Sequence, residues 1–258
     1  MISKCIISRL HKFLIFYIII WTLLSCANIN LERPYDTKII AHRGFWDNIG
    51  STQNSITSML NAKELGVAGI EFDVTVTADD SLVVIHGPYH GDMLIAETEF
   101  DELRSLLLEN GEVVPSLREY LYVLRSYPDL VVFIDLKDTY HIHEIYSMVS
   151  STITNPCYYL SFSMPVCRAI CEFSSSNNVL YLGNNYSPQE LADYGLAGAS
   201  YPKETLLDKP EYLIELKTLG LISSVWTVNG NEELTMWLGL PNVDFITTDT
   251  PGLIDLNH

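Results

Sequence analysis

Nine short apolar runs, most of them separated by segments of helical spacing, constrain the fold of this chain more than any other feature. The runs fall at 38–41, 70–76, 82–85, 131–137, 158–162, 179–182, 196–200, 222–228 and 243–247. Their β-branched and aromatic content and their length predict strands. Between them, helical spacing or helix-start signals appear at 52–65, 100–108, 115–124, 143–153, 166–173, 188–194, 210–219 and 232–238. Apolar strands alternating with amphipathic helices over about 210 residues predict a parallel α/β fold with both sheet faces covered. Eight strands suffice for a TIM (β/α)8 barrel. The ninth run, 82–85, is then the returning arm of a β-hairpin at the active-site end. An open doubly wound sheet would carry GxGxxG after its first strand, and this chain does not. At 258 residues and 48% hydrophobic content the chain can bury one large core. No repeat or Gly/Ser-rich linker divides it, so residues 38–258 are expected to form one barrel domain.

The hairpin, GIEFDVTVTADDSLVVIHG over 69–87, carries the chemistry. Closing it at Thr77 and Leu82 sets Thr75 opposite Val84 and Asp73 opposite His86. Side chains alternate along a strand, so Glu71, Asp73 and His86 share one face while Phe72 and Val74 occupy the other. Two hard oxygen ligands beside an imidazole suit a divalent cation with an acid or base next to it.

A barrel places its active site at the C-terminal ends of its strands. The polar residues there are His42 and Arg43, Glu71 and Asp73, Asp135 and Lys137, and Trp226 and Asn229. Glu71, Asp73 and Asp135 suit one Ca²⁺ or Mg²⁺ ion. His42 and His86 suit a base and an acid. Arg43 and Lys137 suit a phosphate, and Trp226 a substrate wall. The combination fits metal-assisted cleavage of a phosphodiester. The formal net charge of −17 disfavours nucleic acid as a partner and requires local cations for an anionic substrate.

These pieces, in order, resemble the glycerophosphodiester phosphodiesterases, which are akin to phosphatidylinositol-specific phospholipases C. The matching stretches are IIAHRG at 39–44, GIEFDVTVT at 69–77, VVIH at 83–86, VPSLREYL at 114–121, FIDLK at 133–137, SF at 161–162, VWTVN at 225–229 and FITTDTP at 245–251. The resemblance implies His42 and His86 as the general acid/base pair and Glu71, Asp73 and Asp135 as ligands of one divalent cation. It also implies phosphate contacts from Arg43 and Lys137. A glycerol hydroxyl would attack phosphorus, giving a cyclic phosphate that water opens to glycerol phosphate, with a free alcohol as the other product. Three positions differ from the family's usual pattern: Gly87 stands where aspartate follows the second histidine, Thr52-Gln53-Asn54 replaces Pro-Glu-Asn, and Asp135 replaces glutamate. A weakened, binding-only lipoprotein on the same barrel, or an enzyme for a phosphoinositide or glycan phosphodiester, are the competing readings.

The N-terminus has a basic start (Lys4, Arg9, Lys12), an apolar stretch at 13–24, and Leu23-Leu24-Ser25-Cys26, which resembles a bacterial lipobox. Residues 1–25 are therefore expected to be a lipoprotein signal peptide and 26–37 a tether from a lipid on Cys26. The protein would then be anchored in the bacterial cell envelope, held by its acyl chains. Cys157, Cys167 and Cys171 remain, an odd number that argues against a disulfide framework.

Overall fold

Eight parallel strands close on themselves through the pairing of the first with the second and the last. The computed structural model describes residues 35–48, 50–137, 140–174 and 178–254. The expected signal peptide, Cys26 and residues 26–34 of the expected tether lie outside the described residues. The strands are β1 (Lys38–Ala41), β2 (Gly69–Val76), β3 (Leu82–Val84), β4 (Tyr89–His90), β5 (Met93–Leu94), β6 (Val131–Leu136), β7 (Cys157–Ser161), β8 (Val179–Leu182), β9 (Gly198–Pro202), β10 (Ile222–Trp226) and β11 (Phe245–Thr248). Around the barrel the order is β1-β2-β6-β7-β8-β9-β10-β11, all parallel. The helices are α1 (Ile56–Leu65), α2 (Phe100–Leu103), α3 (Leu117–Leu124), α4 (Ile142–Thr152), α5 (Met164–Phe173), α6 (Pro188–Asp193), α7 (Lys203–Asp208), α8 (Glu211–Thr218) and α9 (Asn231–Leu238). Among the described residues no helix is long and apolar enough to cross a membrane.

Strand alternation divides the core. Ile70, Phe72 and Val74 of β2 and Val132, Ile134 and Leu136 of β6 join the large cluster packed under the helices. Ile40, Val131, Phe133, Leu160, Leu180 and Phe245 belong to a separate cluster in the barrel interior. Phe133 and Phe245 meet edge to face at 5.1 Å, a favourable aromatic geometry. The period of two then turns Asp135, two residues beyond Phe133, toward the same interior.

The second strand outgrows the barrel. β1 pairs only with Gly69 and Ile70 of β2, whereas β6 stays with β2 through Val74. The projecting end, Val74–Val76, pairs antiparallel with β3. The register differs by one residue from the expected one: Val76 faces Leu82 and Thr75 faces Val83. Thr77 is a loop residue, its hydroxyl donating to Asp79 Oδ1 at 2.6 Å, so the loop is longer and closes one residue earlier. Residues 82–114 carry their own small core, in which Val83, Ile85, Ile95, Leu103 and Val114 are buried.

Other boundaries also moved. The expected helix 100–108 is the single turn α2; Leu108 instead bonds through its backbone to Glu112. The helix expected from 52 begins at Ile56, because Ser55 caps it by accepting from Ser58 N at 2.9 Å. The strand expected at 196–200 lies at Gly198–Pro202 and runs into α7, a helix whose mixed LysGluThrLeuLeuAsp sequence showed no clear apolar period. Glu119, whose role the sequence left open, completes the capping box of α3 with Ser116 and pairs with Arg104 at 3.1 Å. The three described cysteines are free thiols, with Cys167 buried.

At Gly69, β1 and β6 crowd β2. A β-carbon there would lie 2.3 Å from the Val131 carbonyl oxygen and 2.8 Å from Ile40 Cδ1. The nearer obstacle is backbone and cannot rotate away. Gly69→Ala is therefore expected to destabilise the barrel by about 1–3 kcal/mol, an overpacking cost, read as a lower urea midpoint.

Candidate active site

The first strand ends in a tight turn that aims two basic residues into the barrel mouth. Ala41 is the last residue of β1, and the backbone N–H of His42 still donates to Thr248 O at 2.9 Å. Arg43 and Gly44 then adopt positive φ, 56° and 79°. Gly44 is required twice over: a left-handed conformation favours it, and a β-carbon would fall 2.4 Å from Ser58 Oγ. The turn is pinned to α1, because Ser58 Oγ donates to Arg43 O at 3.0 Å and Phe45 N to Ser58 O at 2.8 Å.

Glu71, Asp73 and Asp135 converge there. All three are buried, and one oxygen of each lies within 4.8 Å of the others. Asp73 and Asp135 are direct neighbours in the β2–β6 register. Their polar contacts come from three segments: the turn after β1, the loop before α1 and the end of β6. Glu71 Oε2 accepts from Arg43 N at 2.9 Å. Asp73 Oδ2 accepts from Asn54 Nδ2 at 2.8 Å and pairs with Arg43 Nε at 3.1 Å. Lys137 Nζ pairs with Asp73 Oδ1 at 3.0 Å and donates to Asp135 Oδ2. Arg43 Nη1 donates to Gln53 Oε1 at 2.5 Å. Thus both cations expected at a phosphate are drawn onto the carboxylates, and Gln53 and Asn54 tie the loop before α1 to them.

His42 stands beside this cluster. Its Nδ1 lies 2.6 Å from Asp249 Oδ1 and its Nε2 3.9 Å from Glu71 Oε2. His86 is exposed at the rim and feels the charges of Asp73, Arg43, Lys137 and His42. It gets there by a different route from the expected pairing with Asp73: β3 ends at Val84, and the chain bends beyond Ile85, which is anchored in the small outer core. Trp226 is half-buried, donates its indole N–H to Ser200 O at 2.9 Å, and meets Phe162 edge to face at 5.8 Å. The Phe162 ring is half-exposed and lies 5.7 Å from the Lys137 ammonium. A groove on the outer wall, lined by Leu82, Phe100, Arg118 and Met148 among others, holds none of these groups.

The electrostatics divide the carboxylates. Burial pushes Glu71 up to about 8, helped by the charges of Asp73 and Asp135. Burial likewise raises Asp135 to about 6, against the pull of Lys137. Burial opposes ionisation of Asp73 too, but Lys137 and Arg43 overcome it and hold Asp73 below the usual carboxylate range. For His42, burial is outweighed by the hydrogen bond to Asp249 and the charge of Glu71, so its value rises. For His86, partial desolvation of the ring and the nearby cations lower it.

A divalent cation fits this donor set. Three carboxylates are hard ligands, and an ion among them would offset the burial and mutual repulsion that push Glu71 and Asp135 up. Asp135 Oδ1 is a buried oxygen with no hydrogen-bond partner, which a cation would satisfy.

Two contributors escaped the sequence reading. Asn54 stands in the sequence only as part of the Thr52-Gln53-Asn54 motif, yet it bonds Asp73 through both its amide atoms. Asp249 carries the same strand-end signal as the other site residues, because it lies just after β11.

A closed parallel barrel with an acidic triad and an aspartate-paired imidazole at one mouth defines a (β/α)8 protein whose mouth could hold a hard cation. More specifically, the chain belongs to the glycerophosphoryl diester phosphodiesterase family, whose model matches residues 42–253. It is similar to a glycerophosphodiester phosphodiesterase from Parabacteroides distasonis, with TM-score 0.80 and 36% identity over 84% of this chain and 94% of that one. An Oleispira antarctica phosphodiesterase solved with the product sn-glycerol-3-phosphate shares the fold, with TM-score 0.68 and 20% identity over 83% of this chain and 93% of that one. A glycerophosphodiester phosphodiesterase of Caldanaerobacter subterraneus subsp. tengcongensis is 34% identical over 113 residues, 39% of this chain. That match spans 45% of the relative, so the chain covers under half the length of this curated relative.

The raised groups set a sign for pH dependence. Glu71, Asp135 and His42 have folded values above their ordinary ones, so their stabilising contribution is complete at low pH and lost as pH rises through the folded values. His86 acts in the opposite sense, and Asp73 does so only below the ordinary carboxylate range. In divalent-free buffer Tm is expected to fall between about pH 5 and pH 8. Ca²⁺ or Mg²⁺ should raise Tm more at the upper end, and Glu71→Gln should flatten the slope. Thermal scans across pH, with and without ion, check this.

Proposed function

We propose that this protein hydrolyses a glycerophosphodiester to glycerol phosphate and an alcohol, using one divalent cation, Ca²⁺ or Mg²⁺, and the pair His42 and His86. The observation that carries the proposal is the convergence of Glu71, Asp73 and Asp135 within 4.8 Å, beside His42. Family membership and the sn-glycerol-3-phosphate bound by the Oleispira phosphodiesterase support the substrate class.

Glu71, Asp73 and Asp135 would hold the cation, whose charge would polarise the phosphoryl oxygens and offset the charge that grows on them. His42 Nε2 takes the proton of the attacking glycerol hydroxyl, because Nδ1 is engaged with Asp249. His86 gives a proton to the departing alcohol oxygen; its lowered value makes it a ready donor once charged. Attack from within the substrate gains from proximity and yields a cyclic phosphate, which water opens with the two imidazoles exchanging roles. Arg43 and Lys137 stand against the carboxylates and would turn toward phosphate once a cation supplies the positive charge they now provide. Phe162 and Trp226 offer an apolar wall for the glycerol carbons. We further propose that a lipid on Cys26 anchors the chain in the bacterial cell envelope.

Purified protein should release glycerol phosphate from a panel of glycerophosphodiesters with Ca²⁺ or Mg²⁺ and stop when EDTA is added. His42→Ala should lower kcat by about 10²–10⁴-fold. No turnover on the panel with either ion, or turnover indifferent to both EDTA and His42→Ala, would refute the reading in favour of a binding protein. Cys26→Ser should move the protein from the membrane to the soluble fraction in cell fractionation; unchanged membrane retention would reject the lipid anchor.

A further inference from the structure

Asp249 touches His42, and Asn229 touches Asp249 from the far side. Asn229 Nδ2 donates to Asp249 Oδ2 at 2.7 Å, while Asn229 Oδ1 accepts from the backbone N–H of Asp249 at 2.9 Å. The Thr248 hydroxyl donates to the same Oδ1 at 3.2 Å. A backbone N–H can only donate, so the amide cannot be flipped: its oxygen faces that N–H and its NH2 faces the carboxylate. Asn229 is itself fixed from below, its backbone N–H donating to Glu233 Oε2 at 3.3 Å, which also accepts from Lys203 Nζ at 2.6 Å. A carboxylate is an acceptor only, so the Asp249 oxygen 2.6 Å from His42 Nδ1 requires a hydrogen on that nitrogen.

We propose that Asn229 is a positioning residue: by clamping Asp249 at two points it holds the neutral His42 ring with its proton on Nδ1, leaving Nε2 the acceptor that faces the acidic triad. The inference rests on the phosphodiesterase reading for its consequence in turnover, but not for the tautomer itself. The donor pattern makes the clamp directional. In Asp249→Asn, the Asn229 NH2 draws the new amide oxygen toward itself and turns the new NH2 at His42 Nδ1. The ring must then accept at Nδ1 and carry its proton on Nε2. Adding Asn229→Asp reverses this: the carboxylate it introduces accepts from the NH2 of the substituted amide, whose oxygen returns to His42.

The test is ¹⁵N NMR of the histidine-labelled full chain at a pH where His42 is neutral, with the His42 signal assigned by its loss in His42→Gln. The proton is expected on Nδ1 in the wild type, on Nε2 in Asp249→Asn, and on Nδ1 again in Asp249→Asn/Asn229→Asp. Against glycerophosphodiesters, Asp249→Asn should lower kcat by about 10²-fold or more with KM little changed, and the double variant should recover part of it. A wild-type proton on Nε2, an unchanged tautomer in Asp249→Asn, or a double variant no better than the single one would overturn the inference. Should Asp249→Asn not fold, Asn229→Ala must instead show a mixture of the two tautomers; a single Nδ1 form there would equally overturn it. The ring reports its tautomer without substrate, so an inactive wild type would sink the phosphodiesterase reading and leave this result standing.

Discussion

Burying three carboxylates within 4.8 Å of one another sets the terms for the whole barrel mouth. An isolated buried charge costs several kcal/mol, and like charges this close cannot all ionise. The fold answers with cations from two strand ends and a polar loop. Lys137 bridges Asp73 and Asp135, Arg43 reaches Asp73 with its side chain and Glu71 with its backbone, and Asn54 supplies an amide. Each contact also ties an element to its neighbour, so β1, β2, β6 and the loop before α1 are locked together by the groups that hold the charge.

The compensation is incomplete, and that is what makes the site useful. Asp73 lies against two cations, Lys137 and Arg43, and remains ionised, whereas Glu71 and Asp135 are pushed up. A divalent ion is the charge that would complete the set. Departures from the family's usual pattern can be placed on the same map. Gln53 still reaches Arg43, so its neutral amide keeps the contact that an acid would make. At Gly87, a β-carbon would meet nothing nearer than 3.6 Å, so no steric barrier forces glycine there. Asp135, although short, still places an oxygen in the triad because its strand runs in register with Asp73.

The architecture was legible from patterning. Val132, Ile134 and Leu136 alternate with Val131, Phe133 and Asp135, and a period of two is a direct consequence of strand geometry that no tertiary contact overrides. Glu71, Asp73 and Asp135, with Arg43, Lys137 and His42 around them, could be picked out because a barrel gathers the polar residues at the C-terminal ends of its strands. Local chemistry was less so. The hairpin register slipped by one because Thr77 spends its hydroxyl on Asp79 and Ser81 within the loop. The helix α7 was missed because its buried residues, Thr205 and Leu206, are adjacent and trace no apolar face.

Sequence alone determined the barrel, the strand ends that carry the carboxylates, and which side chains on β2 and β6 point inward, because alternation is local and repeats along the chain. Tertiary structure alone decided the partners. Asp249 lies 207 positions from His42, and Asn54 meets Asp73 across the loop before α1. Closure of the barrel between β11 and β1 brings its first and last strands side by side. Such pairings depend on how strands close in space, and no spacing along the chain encodes which oxygen will meet which ring nitrogen.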